Sequence, residues 1–349
     1  MNRDQVLAAV HGGELIRGES LVGVDLQGAD LRGALLDRCI LRQVDLRGAD
    51  LSEAVITAST LEGLAMDGAT LNHASVIQSS LGGSSLRGAA LGRFRCQGSN
   101  LNGVTLAAAR LDAAVLSDVT LAAADASSST WRRCSLEGVT CPDLDLSAAV
   151  LDTCVWMRAD LCLARLERIA MPRCTLLEAK MDGVDLRGCD LSGIQLADGS
   201  LEKTDLGDAV LDGANLAGAN LDQATLSGAH LERAVAYRAR LRGVVARGAR
   251  CVGAVFQDAD VSGSDFEQSD LSHAVLARAR ASAVRFVETD LRFADLSEAD
   301  VADSAFVDCR FEHTRVYRLR DEGARFSSRT GLVAEDPSRA AMERWSPRY

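Results

Sequence analysis

Between residues 24 and 55 the chain reads VDLQGADLRGALLDRCILRQVDLRGADLSEAV, and a leucine or a close substitute returns at every fifth position. Neither regular element has that period, because a helix repeats its apolar face every three to four residues and a strand every second. The phase starts at Ile16 and runs through Leu21, Leu26, Leu31, Leu36, Leu41, Leu46, Leu51, Ile56, Leu61 and Met66. The same step of five still lands on Leu291, Leu296, Val301, Phe306, Phe311 and Val316. Two residues before these centres sits a small residue, as at Ala29, Ala34, Cys39, Ala49, Ala54, Ala214, Ala219, Ala224, Ala229 and Ala299. Asp, Asn, Thr or Ser often separates the two, and Gly often follows the centre by two. The unit is A(D/N)LxG, and one period held over nearly the whole chain predicts a solenoid rather than two or three ordinary domains.

The units ADLRG at 29–33, ADLSE at 49–53, ANLAG at 214–218 and ANLDQ at 219–223 resemble the pentapeptide-repeat family, over roughly residues 14 to 326. The resemblance implies an all-β fold, a right-handed quadrilateral β-helix with four pentapeptides to a coil. In such a square coil the large centre and the small residue before it point inward, and the other three positions face solvent. Gly28, Gly33, Gly48, Gly213 and Gly218 then suit corners that need a positive φ. Successive coils lie about 4.8 Å apart.

Both ends read as caps. Residues 3–13, RDQVLAAVHGG, predict a short helix stopped by two glycines. Residues 336–345, DPSRAAMERW, predict another, with Asp336 as N-cap, Pro337 at the first helical position and Trp345 closing the last coil. The expected organisation is an N-terminal helical cap over 1–13, the pentapeptide-repeat β-helix over 14–326, and a C-terminal tail with a short capping helix over 327–349.

With four units to a coil, residues twenty apart share a face. Phe266, Phe286, Phe306 and Phe326 fall on one interior ladder and Cys134, Cys154 and Cys174 on another. The outward position before each centre yields two candidate surfaces. One carries Leu35, Val55, Val115, Val155, Val235, Val255 and Val275, a candidate protein-binding face. The other carries Asp25, Asp45, Asp125, Asp145, Asp185, Asp205 and Asp265, a candidate acidic face. Between residues 122 and 180 the consensus decays: Trp131, Trp156, Met171 and Met181 replace leucine, Leu144 and Ile169 take small-residue positions, and Pro142 and Pro172 face outward. A local irregularity is expected there, because larger groups force a filled core to widen or bend.

A net charge of −11 argues against direct binding to nucleic acid, which needs a basic surface. Lys180 and Lys203 are the only lysines. The N-terminus shows no secretory leader and no stretch approaches a membrane span, so the expected location is cytoplasmic. The ten cysteines are scattered through a long chain and read as reduced thiols. His11, His73, His230, His273 and His313 are dispersed, with no metal-ligand spacing, and there is no Walker A loop, GxGxxG or GxSxG. No catalytic, cofactor-binding or metal-binding residue is assigned, and an enzyme is not expected.

Two function classes remain. The first is a protein–protein interaction scaffold or adaptor. The opening LAAVHGGELIRGESLVGVDLQGADLRG and closing DPSRAAMERWSPRY resemble pentapeptide proteins associated with bacterial type VI secretion spikes and effector loading, which makes a spike or effector component the implied partner. The valine face equally suits a homodimer. The alternative is a DNA mimic: some members of the family bind DNA gyrase or topoisomerase IV in place of the duplex. Arg32, Arg42, Arg47, Arg87, Arg187, Arg242 and Arg247 interrupt the negative surface that this reading requires.

Overall fold

In a computed structural model, residues 1–334 are described and the chain forms two compact units, Met1–Lys180 and Met181–Tyr349. Each is a parallel β-solenoid made of short strands and single bridges, and the helix Arg3–His11 is the only one among the described residues. The capping helix expected over 336–345 lies outside them.

The pairing register states the coil length directly. In the first unit an eight-stranded parallel sheet runs from Leu15–Arg17 to Val155–Trp156, and its partners, such as Leu15↔Leu35 and Leu35↔Val55, stand twenty residues apart. In the second unit the same step appears mostly as single bridges, as in Asn215↔Val235 and Val235↔Val255. Four five-residue sides therefore make one coil.

Why the chain turns every fifth residue follows from its hydrogen bonds. The Ala29 amide donates to the Leu26 carbonyl at 3.0 Å, closing a four-residue turn whose third member, Gly28, has φ +62°. A type II turn requires that positive φ. The requirement is positional rather than a property of glycine: every fifth residue from Gly13 to Gly323 takes a positive φ, among them Ala58, Thr153 and Phe293, with Leu163 the one exception. The leucine centres and the small residues two before them are buried along both units.

The recurring Asp or Asn of the unit has a backbone task as well. Asp25 Oδ1 accepts the Gln27 amide at 2.9 Å, Asp50 Oδ1 that of Ser52 at 2.9 Å, and Asn215 Oδ1 that of Ala217 at 3.1 Å. Each satisfies the corner N–H that follows the buried centre. Pro142 and Pro172 occupy that corner position where Thr140 and Ala170 replace the Asp or Asn, so the amide that would lack an acceptor is absent.

Small interior hydroxyls tie coils together. Ser84 Oγ donates to the Leu61 carbonyl at 2.9 Å and accepts the Leu64 amide at 3.0 Å, and Ser264 and Ser304 repeat the arrangement. The thiols of Cys134, Cys154 and Cys174 donate to the corresponding carbonyls of Leu111, Trp131 and Leu151. None of the ten cysteines forms a disulfide, and burial pushes the thiols of Cys96, Cys141 and Cys251 up to about 12.

The irregularity expected over 122–180 is confined to one corner. Asp145↔Arg165, Val155↔Thr175 and Asp160↔Lys180 keep the twenty-residue register, and Trp131, Leu144, Trp156, Ile169, Met171 and Met181 are all buried. The indole N–H of Trp131 finds Ser129 Oγ at 2.7 Å. Only the corner at Cys162–Ala164 departs: Leu163 leaves the left-handed conformation and is 65% exposed, while the small residue Ala164 is half-buried.

The N-terminal helix carries a capping box, with the Gln5 amide donating to Asn2 Oδ1 at 3.0 Å and the Asn2 amide to Gln5 Oε1 at 2.8 Å. It buries Val6, Ala9 and Val10, and Val6 and Val10 share a small apolar void with Leu21, Leu26 and Leu31. Arg3 clamps the first coil by donating to the carbonyls of Asp25 and Gln27. At the other end the pairing continues past Phe326, with Thr314↔Leu332 and Arg315↔Val333. That step is eighteen residues, so the last described coil is two residues short of the others.

Candidate functional site

The surface before each buried centre divides into short strips. In the first unit Leu15, Leu35 and Val55 stand on three successive coils, after which Ser75 and Arg95 interrupt the aliphatic row. Val115 lies between Arg95 and Ser135, and Val155 between Ser135 and Thr175, so neither has an aliphatic neighbour on its ladder. In the second unit Val235, Val255 and Val275 are consecutive, bordered by Asn215 and Asp295. Val115, Val155 and Val235 are exposed and Leu35, Val55, Val255 and Val275 half-buried. Each unit thus carries one three-residue aliphatic strip, and Leu15, which sequence reasoning left out, completes that of the first.

All seven aspartates of the acidic face accept the amide two residues on, from Gln27, Arg47, Ser127, Ser147, Arg187, Gly207 and Glu267 respectively. Six also stand beside arginine: Asp25 by Arg3, Asp45 by Arg47, Asp145 by Arg165, Asp185 and Asp205 by Arg187, and Asp265 by Arg247 and Arg285. The Arg47 and Arg187 guanidiniums hold the carboxyls of Asp45 and Asp185 below the usual carboxylate range by hydrogen bonding. Much of the negative charge on this face is therefore compensated on the spot.

The interior phenylalanines form a continuous column: Phe266–Phe286, Phe286–Phe306 and Phe306–Phe326 stack at 5.8, 4.7 and 4.4 Å between centroids. A second aromatic column, outside, was not visible as such in the sequence. His273 and His313, two coils apart, sandwich Phe293 on one corner ladder at 4.9 and 5.5 Å. The signal was the twenty-residue step between positions 273, 293 and 313, applied to corners rather than to sides. Among the described residues no group of three His, Cys, Asp or Glu side chains is placed to hold a metal ion.

The sequence profile of the pentapeptide repeats family matches eight copies, at residues 20–57, 49–88, 157–193, 194–233, 237–272 and 274–312, which together span more than half of the chain. The chain belongs to the pentapeptide-repeat family. Among solved structures it is similar to HetL, a pentapeptide repeat protein involved in heterocyst differentiation regulation from the cyanobacterium Nostoc sp. strain PCC 7120. The identity is 20%, over 90% of this chain and 96% of that one, with a TM-score of 0.18. It is also similar to full-length QnrB1, a plasmid-mediated fluoroquinolone resistance protein, at 16% identity over 57% of this chain and 100% of that one, TM-score 0.21. A pentapeptide repeat protein of the Arabidopsis thaliana thylakoid lumen matches at 21% identity over 45% of this chain and 76% of that one, TM-score 0.11. No curated protein matches the chain in sequence.

Proposed function

We propose that the protein is a non-catalytic scaffold that offers its sheet-like faces to another protein. The observation that carries this reading is the strip Val235–Val255–Val275, three aliphatic side chains side by side on successive coils with polar neighbours at both ends. Aliphatic groups presented in a row favour a covering partner, and coil-to-coil bridges hold their backbone in place at little further cost in conformational entropy. The flanking segments that resemble secretion-associated members make a type VI spike or effector component the partner to test first. Affinity capture from the native cell, with the purified chain as bait, is expected to recover such a component. Recovery of no specific partner by the parent chain, with sedimentation showing a monomer, contradicts the scaffold reading.

A second reading, mimicry of DNA toward gyrase or topoisomerase IV, has in its favour the net charge of −11 and the directly adjacent pairs Asp25↔Asp45, Asp125↔Asp145 and Asp185↔Asp205. The arginines beside most of these carboxylates weigh against it. A gyrase supercoiling assay separates the two: neither inhibition nor protection at micromolar protein removes mimicry.

A further inference from the structure

One face of the second unit carries charge in alternating rows. Arg240, Asp260, Arg280, Asp300 and Arg320 follow one another on a single bridged ladder, and the corner ladder beside it reads Arg238, Asp258, Arg278, Glu298 and Arg318 in the same coils. Within this pattern lies a cleft of about 490 Å³, lined by Arg238, Arg240, Arg242, Arg278 and Arg280 together with Asp258 and Asp260.

The arginines there are unequally served. Arg278 is neutralised by a two-pronged contact, its Nε and Nη2 each 2.8 Å from one oxygen of Asp258. Arg240 and Arg242 share a single carboxylate oxygen, that of Asp222, which is almost fully buried beneath them. Among the described residues no carboxylate pairs with Arg280. None pairs with Arg238 either, whose guanidinium lies 4.9 Å from the Tyr237 ring centroid. Asp260 receives the Ser262 amide and no guanidinium. Five guanidiniums thus face three carboxylates, Asp222, Asp258 and Asp260, a local excess of two positive charges that Glu298, acting on Arg278, and Glu202, acting on Arg242, reduce from outside the lining, on a chain whose net charge is −11.

We propose that this cleft binds a phosphate group, as inorganic phosphate or as the end of a small phosphate monoester. The excess charge matches a phosphate dianion, and guanidinium forks pair with phosphate oxygens in two-pronged fashion, as they do with carboxylates. Arg238 and Arg280 approach from coils on either side of the Asp258–Asp260 row and are the groups with charge to spare. Arg240 and Arg242 are anchored on Asp222, which holds their remaining donors toward the cleft with less entropy to lose on binding. Asp260 opposes the anion and limits affinity.

The test is calorimetric titration of the full chain with orthophosphate and, separately, with glycerol 3-phosphate, at constant ionic strength. Saturable binding of at least one of them is expected, and the tighter of the two names the source of the group. Arg238→Gln combined with Arg280→Gln removes the two cations that no carboxylate contacts, at the cost of the exposed Arg238–Tyr237 contact, and is expected to weaken binding at least tenfold with a melting temperature within a few degrees of the parent's. Asp260→Asn is expected to strengthen it, which keeps the proposal open to refutation if the double variant fails to fold. Absence of saturable binding to either probe at millimolar concentration overturns the proposal. So does an affinity that neither substitution moves in its expected direction.

Discussion

At the scale of single residues, the unit A(D/N)LxG reads as a set of hydrogen-bond obligations laid over a packing rule. The alanine position is small because it faces the core, but where it is serine it also satisfies an amide in the preceding coil. Ser84→Ala preserves volume and leaves the Leu64 N–H without its acceptor at 3.0 Å in a buried site. That change is expected to destabilise the chain by about 1–3 kcal/mol, read as a lowered denaturant midpoint at constant slope. A cost near zero contradicts the role given to the hydroxyl. At the Asp position the arginine partner displaces the carboxyl furthest at Asp30. Hydrogen bonds from Arg32 hold the Asp30 carboxyl down at about 2, against its ordinary 3.8. A carboxylate with a depressed folded-state value adds stability that is fully present above the unfolded value and is lost as pH falls through the folded one. Asp30→Asn keeps the side-chain acceptor and removes the charge. Its melting temperature should therefore lie below the parent's at pH 5 and converge on it as pH falls from about 4 to about 2. A deficit that is constant over that range assigns Asp30 no electrostatic part.

At the scale of coils and strips, the five-residue phase foretold both interior lines, because burial follows it along each unit. It also placed the stacked Phe266, Phe286, Phe306 and Phe326. Less was legible wherever the decisive contact joins residues eighteen to twenty-three apart. The cross-coil Asp–Arg pairs such as Arg247–Asp265 and Arg278–Asp258, the serine bridges and the His273–Phe293–His313 sandwich all depend on which side chain lies one coil above another and how far it leans. A one-dimensional pattern of apolar and polar positions does not contain that. Leu163 shows the same limit differently: its position predicts a left-handed corner, which Thr153 and Phe293 accept and it does not. The phase itself can be attacked directly. A single residue inserted after Leu216 moves later centres of the second unit off their inward positions, and each leucine so exposed forfeits about 1.5–3 kcal/mol. A few of them exceed the whole stability of an ordinary domain, about 5–15 kcal/mol. The variant should aggregate or lose cooperative unfolding, and a monomer that melts like the parent would mean that local bulges absorb the insertion.

At the scale of the whole molecule, the ends and the faces carry what distinguishes this chain from a bare repeat. The helix Arg3–His11, foreseen from its two terminal glycines, covers the first coil with Val6 and Val10 and is pinned by Arg3. No helix among the described residues is long and apolar enough to cross a membrane. The charge of −11 turned out to be a poor guide to the faces, since arginines stand beside most of the aspartates of the acidic face and gather into a cationic cleft in the second unit. The strip of Val235, Val255 and Val275, like that of Leu15, Leu35 and Val55, sets aliphatic side chains on three successive coils, and the proposed function rests on the former. Replacing all three with Thr keeps the β-branched shape and the strand preference while adding hydroxyls. The measurement is retention of the captured partner, together with sedimentation of the purified chain, for the parent and for this triple variant at matched melting temperature. The account predicts a loss of partner retention or of self-association of at least tenfold, since each covered valine contributes about 1.5 kcal/mol or more. Unchanged retention and unchanged mass would contradict it and leave the valines to strand preference alone.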